Sequence, residues 1–173
     1  FISNRIFGNG TGIIMPINDT IGGLGYFAGS GANDIFNNSV GINDTGRMQK
    51  QHIYSNRTGV TGSGLLGTDS FDTANLIESN EVGADFNGTI QFTRFALNAV
   101  GIAACDRQII EHNLIYRGTL AGIRTRGADD VRITQNTFYN TAGSGVMVDG
   151  GSTRTELYNN AFRADGGYDL NIA

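Results

Sequence analysis

The sequence predicts an all-β solenoid in which short parallel strands stack into successive coils. In the stretch 131–148, three short apolar pulses alternate with polar residues, the period of a strand with one buried face. Gln, Asn, Thr and Gly separate the pulses, and several of these residues favour turns because they tolerate left-handed backbone or bond their own main chain. Three strands and their turns in one short stretch are enough for one coil of a repeat protein.

A half-motif recurs along the chain and sets the length of the repeat. It consists of a polar residue, any residue, then Ile or Phe, and a second polar or small residue soon after; most copies are followed by Gly and a small aliphatic residue. The mean spacing of the copies predicts about eight coils of about 22 residues each. The copies begin at Asn4, Asn33, Gln51, Asn75, Thr93, Asn113, Asn136 and Asn160.

The uneven spacing of the copies predicts two loop insertions in one domain that covers 1–173. The excess residues fall in Gly- and Asp-rich segments near 20–33 and 61–73, and such insertions bulge from turns without disturbing the stacked strands. The chain starts at Phe1 and stops within an apolar pulse. Because solenoids need caps at both ends, we expect an excerpt of a longer protein.

Two repeat architectures have a period near this length. Leucine-rich repeats also place a strand before an Asn turn, but they require Leu at several fixed positions and a helical return segment. Leu is sparse here and no stretch carries a helical face. Inward Ile, Val and Phe with Asn and Gly at the turns favour a right-handed, single-stranded parallel β-helix.

The pattern Asn-x-Ile/Phe-x-x-Asn followed by Gly-Ile or Gly-Val resembles the repeats of the right-handed parallel β-helix superfamily, from Asn4 to Asp165. That superfamily includes pectate lyases, polygalacturonases, alginate epimerases, phage tailspikes and bacterial surface proteins. The resemblance therefore implies the fold and leaves the function open. The signatures that we associate with its pectinases and alginate epimerases, an Asp-Pro-His-Glu run and a Gly-His-Gly triplet, are not in the sequence.

The predicted core consists of inward columns, and the asparagines of the turns are expected to bond up and down the stack. Each fully buried aliphatic or aromatic member of a column stabilises the fold by roughly 1.5–3 kcal/mol. One column is predicted to contain Ile90, Ile110, Ile133 and Leu157, and the next Ile6, Ile35, Ile53, Ile77, Phe95, Ile115, Phe138 and Phe162.

Composition and charge exclude several classes of function. Charged residues make up only 16% of the chain and the formal net charge is −4, so there is no basic surface for nucleic acid and no polybasic membrane patch. No apolar run reaches the length of a membrane span, so no membrane insertion is expected. Cys105 is the single cysteine and cannot form a disulfide within the chain.

The candidate ligand-binding residues lie at outward positions of neighbouring predicted coils. Tyr116 and Tyr139 follow the inward residue of their strands, and aromatic faces suit stacking on sugars. Arg124, Arg126 and Asp149 lie on the outer face of the Gly-Ile/Val strand, where Arg126 is predicted to pair with Asp149. The guanidinium forks suit bidentate recognition of a carboxylate. The two sets belong to different strands, so one ligand must wrap the turn between them.

Other chemistry-bearing residues have structural interpretations. Asp129 and Asp130 are adjacent in a predicted turn, where consecutive side chains diverge, and form a poor acid/base pair. His52 and His112 are too far apart to cooperate. The stretch 29–35 resembles one imperfect copy of a calcium-binding nonapeptide. The sequence identifies no catalytic residues. We expect no cofactor and no metal site, and Ca²⁺ stays the one alternative, without a clear motif.

Three functions follow as hypotheses. The first is a structural or adhesive β-helix segment of an extracellular or cell-surface protein, with glycan contacts. The second is part of a polysaccharide-active enzyme (a lyase, hydrolase or epimerase), and the third is a non-catalytic carbohydrate-binding solenoid. The expected partners are polysaccharide or other protein subunits, not nucleic acid, and whether the chain is an enzyme is left open.

Overall fold

The regular elements of the chain are β-strands throughout its described part. The structure, a computed structural model, describes residues 4–14, 20–21, 33–44, 47–48, 51–67 and 74–173. None of these residues forms a helix of the length and hydropathy needed to span a bilayer.

The first sheet contains one short strand from each repeat of the sequence motif. Within the described residues it has eight strands, and each pairs in parallel with the strand of the next repeat. The strands are β1 (Arg5–Phe7), β4 (Asp34–Phe36), β7 (His52–Tyr54), β9 (Leu76–Glu78), β11 (Arg94–Ala96), β14 (Leu114–Tyr116), β17 (Thr137–Thr141) and β20 (Ala161–Ala164).

The second sheet contains the Gly-Ile/Val strands and the strands that follow them. Its described strands are β2 (Thr11–Ile14), β5 (Val40–Asp44), β8 (Thr58–Gly67), β10 (Val82–Gln91), β12 (Val100–Ala103), β13 (Ile109–Glu111), β15 (Ala121–Arg126), β16 (Arg132–Thr134), β18 (Ser144–Asp149), β19 (Glu156–Tyr158) and β21 (Leu170–Ile172). A short pair, β3 (Thr20–Ile21) and β6 (Arg47–Met48), forms a third sheet.

The strand register confirms the predicted inward columns. Ile6 lies opposite Ile35, Ile35 opposite Ile53, and the series continues through Phe138 to Phe162. Most of these side chains are buried in a single apolar cluster. The second predicted column is confirmed in the same way by the pairs that join Ile90 to Ile110, Ile133 and Leu157.

A column of glycines lies where the backbones of neighbouring coils approach closely. A Cβ atom at Gly122 would lie 2.6 Å from the carbonyl oxygen of Gly145 and 2.9 Å from Cδ1 of Phe138. The small residue before each inward Ile or Val is therefore required for steric reasons, and the same contact recurs along the second sheet. The column contains Gly12, Gly41, Gly59, Gly83, Gly101, Gly122 and Gly145.

We predict that Gly122→Ala lowers the free energy of unfolding by about 1–3 kcal/mol, because the methyl group overpacks a site walled by backbone. The matched control is Gly118→Ala, where an added Cβ would meet its nearest atom at 3.6 Å, an ordinary contact. Urea unfolding of both variants measures the difference. Equal stability of the two variants would contradict the steric role of the column.

Asparagine side chains bond from coil to coil at both ends of the first sheet. Beyond its carboxyl ends, the amide of Asn38 donates to Oδ1 of Asn56 at 3.1 Å, and the series continues to Asn80 and Asn98. At the other end, Asn136 accepts from Asn113 at 3.0 Å. These buried amides also donate to strand carbonyls and satisfy backbone groups that the turns would otherwise leave unpaired.

The prediction of a loop insertion at 61–73 is wrong for residues 61–67. Residues 61–67 belong to β8 and pair along their length with β10, while 68–73 lie outside the described residues. Glycine indicated a loop there, but a Cβ at Gly88 would collide with the backbone of Gly64 on the paired strand, so glycine marks a close approach of backbones. Of the insertion near 20–33, only β3 and residue 33 are described.

Candidate functional site

An ion pair joins β15 to β18, but it uses a different arginine from the one predicted. Asp149 accepts two N–H bonds from Arg124, from Nε to Oδ2 at 3.1 Å and from Nη2 to Oδ2 at 2.5 Å. Arg126 lies opposite Asp149 in the strand register and is exposed. The predicted Arg126–Asp149 pair is therefore wrong. Side chains two residues apart share one face of a strand, so the long Arg124 side chain reaches diagonally to the next coil.

The Arg124–Asp149 pair links stability to pH. Hydrogen bonding from Arg124 lowers the pKa of Asp149 from its ordinary value, and the charges of Arg124 and Arg126 act in the same direction. A carboxyl whose pKa is lower in the folded than in the unfolded chain stabilises the fold when it is ionised. This contribution is complete above the unfolded pKa of about 3.9 and is lost as the pH falls through the lower folded value.

We therefore expect Asp149→Asn to be less stable than the parent chain near neutral pH, with the difference shrinking below about pH 4. Asn is nearly isosteric with Asp, so the variant removes the charge with little change in packing. Chemical unfolding at a series of pH values measures the two free energies. A stability difference that stays constant down to about pH 2 would show that the charge of Asp149 is not the stabilising element.

The two predicted tyrosines lie on the outer face of the first sheet. Tyr116 and Tyr139 are opposite each other in the register of β14 and β17. Tyr139 is half exposed, and the guanidinium of Arg163 lies over its ring, 5.2 Å from the centroid. Arg124, Arg126 and Asp149 belong to the second sheet. The structure thus brings together the residues within each predicted set and places the two sets in different sheets.

A surface depression of about 410 Å³ lies beside Tyr116. Its walls are Arg94, Leu114, Tyr116 and Thr137, from three successive strands of the first sheet. It combines an aromatic ring, an aliphatic side chain, a hydroxyl and a guanidinium, which are the groups that bind the apolar face and hydroxyls of a sugar. Leu114, Arg94 and Thr137 were not predicted from the sequence. The sequence signal that could have identified them is their position, because each directly precedes an inward residue of the first sheet.

Near the start of the chain, the aromatic residues of the first sheet stack on one another. The ring centroids of Phe7 and Phe36 are 5.0 Å apart, and those of Phe36 and Tyr54 are 4.9 Å apart with an interplanar angle of 8°. Each inner ring therefore uses its faces within the column and presents its edge outward. This column stabilises the coil stack.

His52 lies between two carboxylates on adjacent coils. Its Nδ1 is 3.0 Å from Oδ1 of Asp34, and its Nε2 is 2.8 Å from Oε1 of Glu78. Sequence reasoning treated His52 as an isolated histidine. The signal was available in the register, because Asp34 and His52 occupy equivalent positions of successive copies and Glu78 follows two positions on in the next.

The same geometry limits what His52 can do. Both ring nitrogens are occupied by carboxylates on opposite sides of the ring, so the three groups do not converge on one point. Within the described part of the chain, no three or more His, Cys, Asp or Glu side chains are arranged to hold a metal ion. Residues 29–32 of the calcium-like stretch lie outside the described residues.

The adjacent aspartates take part in a third set of coil-to-coil contacts. Asp106 accepts from the backbone N–H of Asp129 at 2.9 Å, and Asp129 accepts from the backbone N–H and the hydroxyl of Thr153 at 2.9 and 2.5 Å. Asp130 points instead to Arg154, which binds it through two N–H groups. The side chains of Asp129 and Asp130 diverge and each has a partner.

Comparison with known families decides the assignment of the fold. The family model described as "Right handed beta helix region" matches residues 60–172. The chain belongs to this family. No curated protein and no solved structure gave a significant match. The right-handed β-helix family agrees with the parallel, all-strand sheets and the stacked inward columns.

Proposed function

We propose that this β-helix is a structural or adhesive segment of an extracellular or cell-surface protein and that its first sheet contacts glycans. The structural role is supported by the outward-facing side chains, because many of them bond to side chains of neighbouring coils. Asp149 is bound by Arg124, His52 joins two coils, and the rings of Phe36 and Tyr54 stack along the axis. Such a surface supports a rigid scaffold more than a reaction centre.

The glycan contact is supported by the depression beside Tyr116. It is open, lies on a rigid sheet and contains apolar and hydrogen-bonding groups together. The ring of Tyr139 is covered by Arg163, so Tyr116 is the aromatic residue of the predicted set with the stronger claim to a sugar face. The expected ligand is a segment of polysaccharide that lies along the strands' outer face.

The test is binding of neutral and acidic oligosaccharides to the chain, measured by calorimetry, with a Tyr116→Ala variant. Loss of the aromatic face is expected to weaken binding about tenfold. Tyr158→Ala is the matched control, since Tyr158 is an exposed tyrosine on a strand of the second sheet. Equal weakening in both variants, or no binding to the parent chain, would overturn the glycan contact.

One observation favours the alternative of a polysaccharide-active enzyme, the Asp34–His52–Glu78 group. A histidine bonded to two carboxylates could exchange protons with a substrate if one bond opened. Release of reducing ends or of unsaturated products from a panel of polysaccharides tests this alternative. Turnover that His52→Gln abolishes would replace the scaffold proposal, whereas the scaffold proposal expects no turnover.

A further inference from the structure

A second depression, of about 500 Å³, lies where three successive coils each contribute an arginine. Arg107 precedes β13, Arg132 lies in β16 and Arg154 precedes β19. The remaining walls carry only two carboxylates, so the site has an excess of positive charge in a chain with a formal net charge of −4. Those walls are Ile109, Asp130, Thr155 and Glu156.

The carboxylates of the depression are already bound by two of the three arginines. Asp130 accepts two N–H bonds from Arg154. Nε of Arg132 lies 3.6 Å from Oε2 of Glu156, the residue opposite Arg132 in the strand register. Arg107 forms no ion pair with any described residue, although its charge contributes to the lowered pKa of Asp130, whose main cause is the bond from Arg154. One guanidinium is therefore available to a ligand.

The backbone holds the turn residues of the depression in one column. Arg107, Asp130 and Arg154 all have left-handed backbone, with φ values of 56°, 59° and 52°. The N–H of Arg107 donates to the carbonyl of Asp129 at 2.7 Å, and the N–H of Asp130 donates to that of Thr153 at 3.1 Å. The arginine stems therefore start from fixed positions on stacked turns, which reduces the entropy lost when a ligand binds.

A hydroxyl group in the same depression lacks a partner. Oγ1 of Thr155 is buried and makes no hydrogen bond to any described residue. A buried hydroxyl without a partner is unfavourable. A threonine hydroxyl is a hydrogen-bond donor, so it is a candidate partner for an anion bound in this depression. This observation is independent of the arginines.

We propose that this depression binds an oxyanion of an acidic saccharide, a carboxylate or a sulfate ester, through the guanidinium of Arg107. The planar fork of arginine matches both oxyanions with two parallel N–H bonds. The choice of a saccharide rests on the proposed function. The charged part of the ligand is thereby assigned to Arg107 instead of Arg124, which Asp149 already occupies.

Calorimetry with three oligosaccharides of equal length tests this site: a glucuronate oligomer, a sulfated glucose oligomer and the neutral glucose oligomer. Arg107→Gln is expected to weaken binding of an acidic oligomer about tenfold and to leave the neutral one unchanged. The better of the two acidic probes identifies the oxyanion. Binding through Arg107 should also weaken as salt is added, because the site is exposed.

Arg117→Gln is the matched control. Arg117 is also an exposed arginine in a turn with left-handed backbone, with φ of 57°, and it is absent from the depression. Arg107→Lys retains the charge without the fork and is expected to restore binding only in part. Unfolding curves of all variants establish that they fold.

The outcomes separate this inference from the proposed function. Equal weakening by Arg107→Gln and Arg117→Gln, or no preference for acidic oligomers, overturns the Arg107 site. If Arg107→Gln weakens binding of the acidic oligomers and Tyr116→Ala changes the binding of no probe, the Arg107 site is supported. The same result overturns the glycan contact at Tyr116. Binding of no probe overturns both.

Discussion

Phe138→Ala is expected to lower the free energy of unfolding by about 3–5 kcal/mol, because it removes a buried ring from a close-packed column. Phe138 is 1% exposed, lies opposite Ile115 and Phe162 in the register, and stacks on Phe162 with ring centroids 4.6 Å apart. Its ring also borders the glycine column at Gly122. The cavity left by alanine cannot close without moving stacked backbone.

The neighbouring Tyr139→Ala is the matched control for Phe138→Ala. Tyr139 is an aromatic residue of the same strand, is 43% exposed and points to the outer face. Its removal exposes little new apolar surface, so a much smaller loss of stability is expected. Urea unfolding followed by circular dichroism measures both variants. Equal losses would contradict the assignment of inward and outward positions in β17.

Asn136→Ala is expected to cost about 1–3 kcal/mol for each buried polar group that it leaves unsatisfied. Oδ1 of Asn136 accepts from the backbone N–H and the amide of Asn113, both at 3.0 Å, and its amide donates to the carbonyl of Ile110 at 2.9 Å. Asn136 and Asn113 are each 1% exposed, so water cannot replace these bonds without local opening. The amide of Asn136 also donates to Oδ1 of Asn160 on the following coil at 3.2 Å, so the variant breaks contacts with coils on both sides.

Asn87→Ala is the control for the loss of an exposed asparagine. Asn87 is exposed in β10, and its side chain forms no hydrogen bond with any described residue. Hydrogen exchange provides a second measurement, because the N–H of Asn113 should lose protection in Asn136→Ala. Unchanged protection of that N–H would show that the amide column does not hold the turn.

The identity of the inward residues could be predicted from the sequence because burial of one strand face imposes a period of two. Ile133 lies between two polar neighbours, Arg132 and Thr134, and a shift of one residue would expose the whole column. The recurrence of Asn and Gly around each short apolar segment predicted where the turns lie. The family match to residues 60–172 agrees with this interpretation of the repeat.

The contacts of the outer face were decided by the tertiary structure. Arg124 and Arg126 both point outward, and sequence spacing does not tell which of two flexible guanidiniums reaches Asp149. His52 meets Asp34 and Glu78 only because unequal loops still return the strands to one register. On a solvated face many pairings have similar energies, so local geometry selects among them.

The sequence by itself determined the all-β repeat and the residues that face its core, since both follow from local periodicity and the hydrophobic effect. The tertiary structure alone decided that Arg124, not Arg126, binds Asp149 and that Arg107, Arg132 and Arg154 share one depression. The reason is that a coil brings together residues more than twenty positions apart, and the twist and turns between them set which outward side chains become neighbours.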